Sequence, residues 1–273
     1  MRILITNDDG VASGGLHALK AALDPLGAVT VIAPDRNRSA IGRGITIGRG
    51  ISVEEVELPD GSIAYATDGT PVDCVRLSAL GLIGEPPDLI VSGINLGANL
   101  GDDVTYSGTV GAALEGVMLG LPAIAVSQEY PGRPHEPSDA SAYDFRAVAA
   151  FVAGLVPSVI AETFPRRSLV NVNAPNRPPE GILGTKVTTL GRRIYNDRLV
   201  FEGQEGAMRR YRIYGEVHGF QAQPGSDLVA VDAGYISVTP LHFELTDVEG
   251  MSSIERWNLD GLHLADPAPS VLP

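Results

Sequence analysis

Short apolar runs alternate with stretches of helical periodicity through the first 130 residues. Residues 1–6 (MRILIT) read as a buried strand, and residues 14–26 carry Leu16, Leu19, Ala22 and Leu23 on one helical face. Residues 29–33 (VTVIA) predict a second strand, 34–44 are polar and punctuated by glycine, and 51–65 alternate apolar and polar side chains as hairpin arms do. Thr70-Pro71 opens a helix carrying Val75, Leu77 and Leu80, with proline at a first-turn position where its missing N–H costs nothing. Residues 88–92 predict a strand, 108–119 a helix of small residues and 123–127 a further strand. This alternation predicts an α/β fold: a Rossmann-like, mostly parallel sheet with helices on both faces.

The pattern changes further on. Pro131, Pro134 and Pro137 mark an exposed loop, 141–156 an amphipathic helix, 169–172 a strand and 175–179 a second proline cluster. Residues 186–190, 192–201 and 209–217 read as strands or hairpin arms with a tip at 202–206, 235–240 as one more strand and 266–273 as a loose tail. The expected organisation is a catalytic core over 1–130 and a C-terminal part over 131–273 that completes the sheet and carries a hairpin at about 192–217. A two-stranded ribbon is marginal in water, so its apolar face needs a partner surface. Another copy of the chain is the one symmetry allows, and the expectation is a homodimer or homotetramer with Tyr211 and Tyr214 near the contact.

Composition narrows the partners. Twenty basic residues against 33 acidic ones give a net charge of −13, the wrong sign for binding a nucleic-acid polymer. The arginines and tyrosines of 192–214 therefore read as a solvated or subunit-bridging hairpin. There are two lysines, Lys20 and Lys186, and no G-x-x-x-x-G-K-[ST], which excludes a P-loop ATPase. The single cysteine, Cys74, cannot form an internal disulfide; it reads as core and fits a reducing compartment. The first apolar run stops at Asn7-Asp8-Asp9, so neither a signal peptide nor a membrane span starts there. The expected location is the cytoplasm, with no membrane partner.

In open α/β sheets the ligand lies beyond the carboxyl ends of the strands. The loop after the first strand is Asn7-Asp8-Asp9-Gly10, two adjacent carboxylates in what is also a good turn; the loop after the second is Asp35-Arg36-Asn37-Arg38-Ser39, which supplies a hydroxyl. Residues 93–101 (GINLGANLG) hold three glycines and two asparagines beyond the needs of a connection. Tyr106-Ser107-Gly108-Thr109 leads into the small-residue helix, whose first turn offers free N–H groups and a positive dipole end to a phosphate. Two carboxylates, a hydroxyl and an amide carbonyl form a hard-oxygen set suited to Mg²⁺ or Mn²⁺. They would neutralise one divalent ion, so that a phosphate dianion can approach. None of His17, His135, His218, His242 and His263 is paired at metal spacing.

The sequence resembles the survival protein SurE family of metal-dependent 5′-nucleotidases. The resemblance rests on ILITNDDG at 3–10, PDRNRS at 34–39, GTPVDCV at 69–75, VSGINLGAN at 91–99, YSGTVGAA at 106–113 and GYISVTPL at 234–241, in family order. It implies a Rossmann-like N-terminal domain, a C-terminal part used in oligomer formation, and hydrolysis of nucleoside 5′-monophosphates to nucleoside and phosphate. It places the metal ligands on Asp8, Asp9, Ser39 and Asn95, with Asn95 also toward the phosphate, and the phosphate-binding turn on Ser107, Gly108 and Thr109. Asp8 or Asp9 would act as base or nucleophile. The alternative is a non-catalytic nucleotide- or phosphate-sensing module using the same loops. The prolines of 129–138 depart from the family pattern.

Overall fold

The computed structural model describes residues 1–130, 143–161, 164–165, 167–195, 197–215, 219–257 and 259. The proline loop expected after residue 130 and the tail at 266–273 lie largely or wholly outside them.

Ile3, Leu4 and Ile5 are fully buried in β1 (Arg2–Thr6), as a strand covered on both faces requires. It is followed by α1 (Gly14–Leu23), β2 (Ala28–Pro34), β3 (Val53–Glu57), β4 (Ile63–Thr67) and α2 (Pro71–Ala79). Thr70 caps α2: its hydroxyl accepts the Asp73 N–H while the Asp73 carboxylate accepts the Thr70 N–H, so two otherwise unpaired donors are satisfied. Next come β5 (Leu89–Leu96), α3 (Gly108–Met118), β6 (Ala123–Gln128), α4 (Arg146–Ile160) and β7 (Ser168–Ala174). The rest of the sheet-bearing unit is β8 (Thr185–Val187), β9 (Arg193–Ile194), β10 (Asp197–Glu205), β11 (Met208–Gly215), β12 (Gly219–Phe220), α5 (Asp227–Asp232) and β13 (Ile236–His242). Residues Met1–Phe243 form that unit; Glu244–Pro273 form a second, with α6 (Val248–Ile254) capped by Asp247.

Nine strands make one sheet in the order β3-β4-β2-β1-β5-β6-β7-β13-β8. The six from β4 to β7 run parallel; β3 pairs antiparallel with β4, β13 antiparallel with β7, and β8 parallel with β13. Alternation along the strands builds two cores. Ile3, Ile5, Leu89 and Val91 face Leu16, Leu19 and Leu23 of α1 and Val148, Val152 and Val156 of α4. Leu4 and Ile90 point the other way, against Cys74 and Val75 of α2 and Val110, Ala113 and Val117 of α3. Burial pushes the Cys74 thiol up to about 12, which fits its expected place in the core.

The C-terminal ribbon differs from its expected boundaries. Residues 193–194 pair with 219–220 instead of extending the hairpin, and β10 and β11 pair as a separate two-stranded sheet. Asp103 accepts the Arg193 Nε–H at 2.7 Å and the Tyr195 hydroxyl at 2.7 Å, which ties this segment to the one that follows β5. The hairpin tip is a two-residue turn at Gly206-Ala207, because the ladder runs on to Glu205 and Met208 past an irregularity at 201–203. Among the described residues, no helix is long and apolar enough to cross a membrane.

Candidate active site

The strand order changes direction at β1: β2 lies on one side and β5 on the other. The loops that leave β1 and β5 therefore diverge and open a crevice between them. Asn7 closes the first loop as an Asx turn, its carbonyl oxygen accepting the Gly10 N–H at 3.1 Å and its amide donating to Gly10 O at 3.0 Å. Gly10 has φ near +104°, a conformation that excludes larger side chains. This turn presents Asp8 and Asp9 to different neighbours. Asp8 is buried and accepts the Thr109 hydroxyl at 2.6 Å, and the peptide N–H groups of Gly108 and Thr109 also stabilise its charge. Asp9 accepts the Leu96 N–H at 2.9 Å, which ties it to β5.

Glycine at 108 is required by that arrangement: a Cβ there would lie 2.9 Å from Asp8 Cβ and Oδ2. The loop after β2 joins through the Arg38 N–H, which donates to Asp8 O at 2.6 Å, and through the Gly42 N–H, which donates to Tyr106 O at 2.9 Å. Ser39 is exposed, its N–H held by the Asn37 side chain at 2.7 Å. Asn95 is buried and donates its amide N–H to Gly97 O at 2.6 Å, which leaves its carbonyl oxygen to another donor or a cation. Ser107 caps α3 by accepting the Val110 N–H at 3.0 Å and keeps its own proton to donate.

The electrostatics of the pair are unbalanced. Burial raises the Asp8 carboxyl above its ordinary value, opposed by the Thr109 hydroxyl and the helix N–H groups. Burial, and then the Asp8 charge, push Asp9 up to about 7 against the Leu96 N–H. Neither is ion-paired with a basic side chain among the described residues. Asp8 lines one cleft with the unengaged Asn95 carbonyl and the exposed Ser39 hydroxyl, while Asp9, next to it in the chain and held by the Leu96 N–H, is not part of that lining; this oxygen set fits a hard divalent cation, which would supply the missing positive charge. Among the described residues no three of histidine, cysteine, aspartate and glutamate gather as a metal cluster, so a cation here would depend on the neutral oxygens.

Asp8, Ser39, Asn95 and Ser107 line one cleft of about 360 Å³. Thr109 stands behind it with its hydroxyl committed to Asp8. Asn99, the second asparagine of the β5 loop, is a brace: its N–H donates to Asn173, its amide to Ser127, and its carbonyl accepts the amides of Asn171 and Asn173. The alternation N-V-N in β7 puts both partners on one face, a sequence sign of a buried polar contact there. Sequence reasoning missed the rest of the lining, which includes Tyr130, Arg193, Phe220, Leu228, Val231 and Asp232. Tyr130 sits over the β5 loop, since a Cβ on Gly97 would lie 2.5 Å from its ring. Burial and the charges of Asp9 and Asp8 raise its hydroxyl.

Comparison with known proteins finds relatives that match nearly the whole chain. A family model described as Survival protein SurE matches residues 3–197. A protein of Rubrobacter xylanophilus named 5′-nucleotidase SurE is 47% identical over 264 residues, covering 96% of this chain and 99% of its own. One of the same name from Geobacter sulfurreducens is 43% identical over 270 residues, 99% of this chain and 98% of its own. The crystal structure of SurE protein from Aquifex aeolicus superposes with a TM-score of 0.77 at 40% identity, covering 93% of this chain and 98% of that one.

Proposed function

The chain belongs to the survival protein SurE family, and we propose that the cleft at the β1–β5 switch point is the centre of its 5′-nucleotidase activity. It is a 5′-nucleotidase, a phosphomonoesterase acting on nucleoside 5′-monophosphates, and the binding-only reading of the same loops is not favoured. The observation that carries the assignment of residues is the uncompensated Asp8–Asp9 pair beside the unengaged Asn95 carbonyl. Asp8, Asp9, Ser39 and Asn95 would hold one Mg²⁺ or Mn²⁺. When bound, the ion supplies Lewis-acid polarisation of a phosphoryl oxygen.

The chain's own groups do the rest. The Thr109 hydroxyl and the first N–H groups of α3 keep Asp8 oriented and favour its charged form. Ser107, whose proton is not used in capping, donates to the substrate phosphate, with the Gly108–Thr109 turn beneath it and Asn95 beside it. The Asp8–Asp9 pair supplies carboxylate oxygen to take the proton of a water that attacks phosphorus in line, the bond from phosphorus to the nucleoside oxygen breaks, and that oxygen takes up the proton to leave as the nucleoside hydroxyl.

The finer assembly belongs to the same reading. The hairpin of β10 and β11 exposes Leu199 (69%), Phe201 (56%) and Ile213 (74%), more apolar surface than a free ribbon keeps in water. A second copy would cover it, giving a homodimer or homotetramer, and the site of action is the cytoplasm. The core of the proposal is tested by stripping metal with a chelator and assaying AMP. Activity should vanish and return with Mn²⁺ or Mg²⁺, whereas full activity in the stripped protein would remove the ligand assignment.

A further inference from the structure

The lining of the cleft falls into two chemically different groups. One is polar: Asp8, Ser39, Asn95 and Ser107. In the other, Phe220, Leu228 and Val231 pack together with the buried Leu100 as an apolar wall. That wall is built by long-range polar anchors. The buried Asp227 carboxylate accepts three peptide N–H groups, from Gly101, Gly191 and Leu228, each at 2.8 Å, and so fastens α5 to the segment after β5. Phe220 lies in β12, which pairs with β9, and β9 is held by Arg193 on Asp103 at 2.7 Å and on Asp102 through its N–H at 3.2 Å.

Charge decides what this wall can take. Arg193 is the one cation among the described cleft-lining residues, and it is ion-paired with Asp103, while Glu129 and Asp232 add negative charge. A further phosphate or carboxylate on the substrate would meet repulsion there. A flat, neutral, aromatic group would bury apolar surface against Phe220. A volume of about 360 Å³ is small for a ligand site and suits one mononucleotide.

We propose that the Phe220–Leu228–Val231 wall is the nucleobase subsite, with Phe220 the residue that separates nucleotides from other phosphomonoesters. This rests on the reading of the polar lining as the phosphate and metal site. The wall grips the base through its face and not through its hydrogen-bonding edge, so it ranks substrates by stacking area: purine above pyrimidine, and either above a substrate with no base. Because the wall is neutral to acidic, nucleoside monophosphates are favoured over sugar bisphosphates.

The test compares AMP with ribose 5-phosphate, which carries the same ester without the base. The wild type should show the higher kcat/KM for AMP. Base–aromatic stacking removed by alanine costs roughly 5- to 150-fold, so Phe220→Ala should lower kcat/KM for AMP by about that factor more than for ribose 5-phosphate, mostly through KM. Phe220→Leu, which keeps apolar volume without an aromatic face, should fall between, and Phe220→Trp should restore the preference. Thermal melting of each variant identifies loss of fold. Equal wild-type kcat/KM for the two substrates, or an equal fall for both in folded Phe220→Leu, would overturn the base subsite while leaving the phosphatase reading intact. No metal-dependent turnover of either substrate would overturn both.

Discussion

The two ends of the cleft are built by opposite means. The Asp8–Asp9 end lies within a few residues of the strands that position it and is held by short bonds among its own loops, such as Thr109 to Asp8 and Leu96 to Asp9. The Phe220 end consists of apolar side chains on short elements outside the parallel strands, and the Asp103 and Asp227 carboxylates anchor those elements to the segment that follows β5. Chemistry is fixed by strand ends, which the fold supplies in any doubly wound sheet. Shape on the other side depends on two carboxylates that hold short elements lying outside those strand ends. The two ends should therefore fail separately when their anchors are removed.

The largest separation is expected at Asp227. Asp227→Ala leaves three peptide N–H groups without their acceptor, and solvent would recover only part of that, so a loss of about 3 kcal/mol is expected. Thermal melting should show it directly. KM for AMP should rise in the folded fraction while Mn²⁺ affinity holds. A collapse of metal affinity would show that the two ends are one cooperative unit. The matching cut on the other side is Thr109→Val, which removes the hydroxyl that orients Asp8 and keeps the shape of the side chain. Loss of a hydrogen bond that orients a metal ligand typically costs about 10- to 100-fold in metal affinity or activity. AMP and ribose 5-phosphate should suffer alike, because the defect lies where they are identical; a selective loss of AMP would contradict the division.

The same contrast explains what was legible in the sequence. Asn7-Asp8-Asp9-Gly10 and Ser107-Gly108-Thr109 stand at ends of apolar runs whose periodicity identifies them as strand and helix, so local pattern sufficed to place them on one edge. Asn99 shows the limit: in sequence it is indistinguishable from Asn95, yet it meets Asn171 and Asn173 across the sheet and braces the loop. Phe220, Leu228 and Val231 carry no local sign, because an apolar residue after an irregular stretch looks the same in a core, a cleft or an interface. The pairing of β9 with β12 is accompanied by the bond from Arg193 to Asp103, a contact between distant residues that periodicity cannot encode. The start of the hairpin at β10 instead of 192 likewise carries no local sign.

A smaller effect is expected at Asp103 itself. Its pair with Arg193 is partly solvated, and such pairs are worth about 0.2–1 kcal/mol. Asp103→Asn should raise KM for AMP by roughly two- to fivefold with little change in kcat. A loss confined to kcat would show that Asp103 acts on the chemistry and not on the wall.

The proposed role of Asp9 is that of a cation ligand in a site that is independent of the wall. Titration of metal-stripped protein with Mn²⁺, followed by calorimetry, reads that without reference to turnover. Asp9→Asn removes one negative charge at nearly constant shape and should weaken Mn²⁺ binding at least about tenfold, while Phe220→Ala leaves the isotherm as in the wild type. An Asp9→Asn isotherm that overlays the wild type would contradict the assignment of the carboxylate pair, and with it the reading of this end of the cleft.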